Sequence, residues 1–281
     1  MTIILALGNR QQVIQLSDRR LSRNGRLVDD ESNKSGILFC PDARLAFGYT
    51  GLARYGSFKT IDWLLHALHD AGPPTFLVHD VMEKLKANAT RTFREHPALK
   101  AAPREAKKLS LMFSGYVYLR SGPQQGYALL SIYVNWQTGY QFESTQDDFN
   151  ILYSTEIDVA SNPTFIQRIG NWHGISEKDI LAFRQLLVEG RPSEGIVNIA
   201  VDYLRELADR PSSANCIGKQ LSAILLPSDA QQPVEMSYHS AVIEKSAYMP
   251  AQVFLFPEKH AAISGVSISP VDDDTPAISV P

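Results

Sequence analysis

Two cysteines in 281 residues, Cys40 and Cys216, leave no disulfide framework to staple the chain. They stand far apart in apolar surroundings and read as buried free thiols of a reducing compartment, where a disulfide between them would be unusual. No Cys/His spacing of the zinc type occurs. The seven histidines are scattered, and His66 and His69 have no second pair to complete a metal site. Nothing in the chain calls for a metal or a cofactor. Charge of one sign is lacking too: 27 Lys and Arg against 30 Asp and Glu give a net charge of −3. That balance gives no electrostatic reason to expect nucleic acid or an anionic membrane as partner. No apolar run reaches the ~20 residues of a spanning helix. The opening TIILALG has no basic residues before it and runs straight into Asn9 and Arg10, unlike a secretory signal. The expected location is the cytoplasm. A phosphate-binding loop of the G-x-x-x-x-G-K-[ST] type is also missing, so an ATPase working with this protein would be a separate chain.

What is present is enough apolar sequence to build a full core: 44% hydrophobic residues with 20% charged. No repeat or interdomain linker interrupts it. We expect one domain over residues 1–260, and a flexible acidic tail over 261–281, where Ser, Pro and Asp replace any regular pattern.

The first fifty residues organise the rest. Residues 2–9 and 12–18 are β-branched and aliphatic runs around Asn9–Gln11, and 34–50 holds two more around Pro41–Asp42–Ala43. Both read as hairpins. Centring the first on Arg10 makes cross-strand partners sum to about twenty, which sets Thr2 opposite Asp18. Centring the second on Asp42 sets Lys34 opposite Thr50, one pair from Gly48. All four are even-numbered, and in strands of period two that parity puts them on a shared face. A hydroxyl, a carboxylate, an ammonium and a glycine amide would then meet at the strand ends.

Further along, a helix is expected from the cap Ser57 to Gly72, and a second over about 75–96. The second carries a basic outer face (Lys84, Lys86, Arg91, Arg94), whose plain reading is a solvated surface and whose sharper one is an acidic partner. Strands follow near 108–119 and 126–135, with a short one near 139–144. Helical patterns are expected at 162–170, at 176–189 behind the capping box Ser176-x-x-Asp179, and at 193–209. Trp172–His173 reads as packing. Strands near 217–226, 233–238 and 251–256 close the pattern. Helices come in batches instead of alternating with strands, which disfavours a doubly wound fold and suits two packed sheets with helices outside.

Thr2 at the first strand, Ser17-Asp18-Arg19-Arg20 ending the second, Asn33-Lys34 opening the third and Phe47-Gly48-Tyr49-Thr50-Gly51 closing the fourth resemble the N-terminal-nucleophile hydrolases, in the branch of proteasome β-subunits and bacterial proteasome-type peptidases. The likeness is most specific over residues 2–53 and continues through element order to about residue 227. It implies an α+β, four-layer αββα sandwich of two antiparallel sheets.

It also implies roles. Thr2, exposed by removal of Met1, would be the nucleophile and its freed α-amine the base. Lys34 would lie beside it as a positive charge compensated by Asp18. The Gly48 amide would receive the oxyanion. Ser22 and Thr50 would pair with an extended substrate, and Leu21 and Ala46 would shape its side-chain pocket. Asp209 and Ser212 have the spacing of the family's supporting pair, and Ser161 would be the remaining supporting serine. The function implied is hydrolysis of peptide or amide bonds by a threonine hydrolase that needs no cofactor, in a homo-oligomeric ring fed by a separate ATPase. Two alternatives stay open: a catalytically silent scaffold of the same fold, and an amidohydrolase for small amides.

Overall fold

The computed structural model describes residues 2–23, 26–154, 164–213 and 215–240, and the backbone of strands at 253–255, 267–271 and 275–280. In chain order the strands and helices begin β1 (Ile3–Asn9), β2 (Gln12–Asp18), β3 (Leu21–Arg23), β4 (Arg26–Asp29), β5 (Ser35–Cys40), β6 (Ala43–Gly51), β7 (Arg54–Tyr55) and β8 (Phe58–Lys59). Then come α1 (Thr60–Ala71), α2 (Val78–Glu95), the single turn α3 (Pro97–Lys100), β9 (Leu109–Leu119), β10 (Gly122–Val134), β11 (Ser144–Ser154) and β12 (Thr164–Gly170). The remainder is α4 (Glu177–Val188), α5 (Ser193–Asp209), β13 (Leu221–Pro227), β14 (Val234–His239), β15 (Val253–Leu255), β16 (Ser267–Val271) and β17 (Thr275–Val280).

These make two large sheets, ordered β12-β1-β2-β13-β14-β17-β16 and β11-β10-β9-β6-β5-β15. All neighbours are antiparallel except β15, which runs parallel to β5. Three apolar layers hold them together. Ile4, Ala6 and Val13 meet Ile37, Ala46 and Met112 between the sheets. Leu64, Leu68, Val81 and Leu85 of α1 and α2 cover the six-stranded sheet. Phe183, Ile196, Ala200 and Leu204 of α4 and α5 cover the seven-stranded one. The αββα sandwich is therefore present. β1 shows why its sequence is apolar at successive positions: it is buried along its whole length, with one face on helices and the other on the opposite sheet.

Several elements differ from expectation. The stretch read as a helix at 162–170 is strand β12 over 164–170, paired with β1 from Ile3↔Gly170 to Asn9↔Thr164. Phe165, Ile166 and Ile169 fit either period, and the open edge of β1 decides for the strand. The short strand near 139–144 is instead β11, eleven residues from Ser144 to Ser154. As an edge strand it buries Thr145 and Phe149 and leaves the TQDDFN stretch otherwise polar, which hid it. Helix α1 starts at Thr60 because Arg54–Tyr55 and Phe58–Lys59 pair across the Gly56–Ser57 turn, so Ser57 is not the cap. The expected 75–96 helix is α2 over 78–95, and its basic face carries local ion pairs, Lys86 to Glu83 at 3.3 Å and Arg94 to Asp148 at 2.5 Å. The Ser176–Asp179 capping box is formed on both sides. Cys40 and Cys216 are buried and are not joined in a disulfide. Within 261–281, residues 267–271 and 275–280 form β16 and β17, which extend the sheet from β14, and the rest of the expected tail lies outside the described residues. Among the described residues, no helix is long and apolar enough to cross a membrane, and no cluster of His, Cys, Asp or Glu is arranged to hold a metal ion.

Both opening hairpins are shifted by one residue. Arg10–Gln11 and Pro41–Asp42 are two-residue loops, so pairing runs Ile4↔Ser17 and Ser35↔Gly48. A two-residue loop centres the pairing between residues, and an odd-numbered position faces an even one. The shared-parity argument therefore fails. Thr2 and Lys34 come together because each stands one residue before its strand, at the mouth between the sheets.

Candidate active site

The strand ends make a cage for one ammonium. Lys34 is 1% exposed, and its Nζ donates to Thr2 Oγ1 and to the Arg20 carbonyl, with Asp18 Oδ2 3.7 Å away. A lysine ammonium has three protons, and here it faces three oxygens. Asp18 is fully buried and is itself held by backbone: Oδ1 accepts the Ile3 N–H at 2.7 Å, and Oδ2 accepts the N–H groups of Arg20 at 3.1 Å and Gly218 at 3.0 Å. Burial pushes the Lys34 pKa below the ordinary lysine range, opposed by the Asp18 charge. Burial likewise pushes Asp18 up, opposed by Lys34 and by the three amide donors. The two ionise as a unit, and the amide donors favour the carboxylate form of Asp18 because a carboxylate can only accept.

Thr2 is fixed from its other side. Thr50 Oγ1 donates to the Thr2 carbonyl at 3.1 Å and lies 3.4 Å from the Thr2 nitrogen, while the Asn171 N–H donates to the same carbonyl at 2.9 Å. Asn171 Nδ2 reaches the Ser213 carbonyl at 3.1 Å, which ties the clamp to the turn after α5. At Gly170, just before Asn171, φ is +92°, and a Cβ there would stand 1.8 Å from the Thr2 carbonyl oxygen. Only glycine lets β12 come this close. Deeper in, Ser17 Oγ donates to Ser35 Oγ at 3.1 Å and joins β2 to β5 behind the cage.

Thr2 opens onto a cleft of about 940 Å³ whose walls are β3 on one side and residues 51–56 on the other. Leu21 and Ser22 line it. Gly48 and Ala46 do not: Ala46 packs between the sheets, and a Cβ on Gly48 would meet Ile4 Cδ1 at 2.7 Å. In an antiparallel strand, successive N–H groups point to opposite edges. The Tyr49 N–H goes to Lys34 O at 3.1 Å and the Leu52 N–H to Lys108 O at 2.6 Å. Gly48 therefore points into the β9 ladder opposite Met112. Gly51 points the other way, past the start of β5 and toward the cleft it lines, with φ of +99°. The main chain of Thr50 faces β9 as well, so its contribution is the side-chain hold on Thr2.

Asp209 and Ser212 are not brought to the cage. Asp209 is largely exposed and bonds Lys219 at 2.8 Å, and Ser212 is exposed on the turn beside Gly174. Ser161 lies outside the described residues. Sequence reasoning missed Gly51, Gly170, Asn171 and Gly218. Gly51 was legible as the last residue of the FGYTG motif, where a strand must end and turn. The other three act through backbone groups whose position only the tertiary fold sets.

No protein-family model matches this sequence, and no curated protein matches it. Among solved structures, the chain is similar to Anbu (ancestral β-subunit) from Yersinia bercovieri, with 15% identity, 80% of this chain and 82% of that chain covered, and a TM-score of 0.49. It is similar to the eukaryotic HslV from Trypanosoma brucei, with 16% identity, 80% and 99% coverage and a TM-score of 0.44. The helical assembly of the Anbu complex from Pseudomonas aeruginosa gives 16% identity, 80% and 84% coverage and a TM-score of 0.45. The roles of individual residues rest on the distances above.

Proposed function

We propose that the protein is a threonine hydrolase of peptide or amide bonds, with Thr2 as nucleophile once its α-amine is freed by removal of Met1. The observation that carries this reading is the Lys34 ammonium, sealed from water and bonded to the Thr2 hydroxyl. A buried lysine is costly, and a purely structural one would need only Asp18 and a carbonyl. Its third bond goes to the hydroxyl that opens onto the cleft.

In this mechanism the Thr2 Oγ attacks the substrate carbonyl while the α-amine takes its proton, directly or through a water. Lys34 stabilises the alkoxide character of Oγ, and its charge lowers the proton affinity of the amine beneath the ~7.7–8 of a free α-amino group. The Gly51 N–H receives the oxyanion, an interaction of roughly 2.7–4 kcal/mol in comparable sites. The amine leaving group departs with the proton, an ester to Thr2 remains, and water hydrolyses it with the α-amine again as base. Ser22 on β3 and the chain from Gly51 onward offer strand edges to an extended substrate. A homo-oligomeric assembly and a separate ATPase belong to this reading through the sequence resemblance, and sedimentation of the purified protein tests the first.

One observation favours a silent scaffold instead: Asp209 is engaged by Lys219 and does not reach Thr2. Turnover separates the readings. Protein with Thr2 verified as its first residue should release the fluorophore from acylated peptide amides or small acyl amides, and Thr2→Ala should lose at least a thousandfold. Equal activity in both proteins would remove Thr2 from the chemistry. No activity on any amide would favour the scaffold.

A further inference from the structure

The charges around the cleft do not balance, and the imbalance has one sign. Arg20, Arg23, Arg54, Glu105 and Lys108 line it. Arg20 is neutralised by Asp30 through two bonds at 2.7 and 3.0 Å, and Lys108 by Glu105 at 3.1 Å. Arg23 and Arg54 are exposed, stand on opposite walls, and form no ion pair among the described residues. A second observation sharpens the first. Arg23 is the cross-strand partner of Arg26, also exposed and also without an ion pair among the described residues. Like charges directly opposite in a two-stranded ribbon destabilise it. The ribbon sets this repulsion at the rim of the cleft in a chain whose net charge is −3, so the local excess is not a consequence of composition.

We infer that the cleft selects acidic peptides, with Arg23 and Arg54 as specificity-determining residues that take side-chain carboxylates of the bound chain from its two walls. A guanidinium offers a planar fork of donors matched to a carboxylate, which a lysine at the same place would not reproduce. An extended peptide lying along β3 presents alternate side chains to the rim, so a single Glu or Asp can reach Arg23 while its backbone follows the strand edge. The exposed Val28 beside this rim gives an apolar contact for a neighbouring residue. The inference rests on the cleft being the substrate site proposed above, but it concerns binding and not turnover.

The test is fluorescence anisotropy with the Thr2→Ala protein, which cannot turn the probe over. Labelled, acetylated and amidated peptides carrying Glu would be compared with the same peptides carrying Gln, at low and high salt. The Glu peptides should bind about tenfold more tightly, and the preference should shrink as salt rises. Arg23→Ser with Arg54→Ser should abolish the preference, with unchanged circular dichroism showing that these surface variants fold. Arg54→Glu should turn it toward Lys peptides. Equal binding of Glu and Gln peptides would overturn the inference, as would a preference that survives the double substitution or one seen only with a free C-terminal carboxylate. A retained Glu preference in a protein without amidase activity would reject the hydrolase and keep the acidic-peptide site.

Discussion

The cage at the strand ends makes unequal demands on its members. Asp18 cannot be neutralised cheaply, because Lys34 is buried with it and three backbone amides aim at its oxygens. Removing one member of such a buried pair costs ~3–5 kcal/mol. Asp18→Asn should therefore lower the free energy of unfolding by that amount, read from the urea midpoint and slope in chemical denaturation. Lys34→Met leaves the Asp18 carboxylate held by its three amide donors, so it should cost less stability than Asp18→Asn while abolishing amide hydrolysis. Gly170→Ala should be damaging out of proportion to its size, since a β-carbon meets the Thr2 carbonyl and φ is +92°. A loss of roughly 1–3 kcal/mol is expected from the backbone alone, together with loss of activity from a displaced Thr2. Wild-type stability in that variant would show that β12 can withdraw without consequence. At this scale Thr2, Asp18 and Lys34 were legible because their chemistry lies in their side chains. Asn171 and Gly218 were not, because a backbone N–H is present at nearly every residue and only its direction makes it a donor to the site.

Among elements, the two hairpins teach the clearest lesson. Apolar runs and turn residues located all four strands, but the register depends on loop length, and a shift of one residue moved every pair. Counting the loops as two residues would have predicted both pairings. Strand β12 was missed for a different reason: its apolar spacing suits a helix, and the neighbour that makes it a strand lies over 150 residues away at β1. The capping box of α4, by contrast, is local and was legible. Ser176 Oγ accepts the Asp179 N–H at 3.3 Å, and Asp179 accepts the Ser176 N–H at 2.8 Å. Ser176→Ala should cost ~1 kcal/mol through the lost cap, read as a small fall in the thermal midpoint with activity unchanged. An unchanged midpoint would mean that the packing of α4 against the sheet holds that end without its cap.

For the molecule as a whole, pH acts through buried groups far from the cage as well as within it. His239, buried at the end of β14, has its pKa pushed down to about 4 by burial and by the Arg205 charge, from an ordinary 6.5. The unfolded chain binds more protons than the folded one between these values, so stability falls as pH drops from about 6.5 toward about 4. The loss approaches ~3 kcal/mol at the acid end, and His239→Gln should flatten that part of the stability profile. Cys40, whose thiol burial pushes up to about 12, should resist alkylation in the folded protein and react on unfolding. Layering and the helices over each sheet were legible from element order. The αββα sandwich frames the strand ends, and the strand ends hold Thr2 against Lys34. Whether that contact is catalytic is tested most directly by intact-mass analysis after treatment with an epoxyketone or β-lactone, on protein whose first residue is verified as Thr2. The account predicts a single covalent adduct, mapped to Thr2 and absent in Thr2→Ala and Lys34→Met. Unmodified protein with a free Thr2 amine, or an adduct that persists in Thr2→Ala, would contradict it.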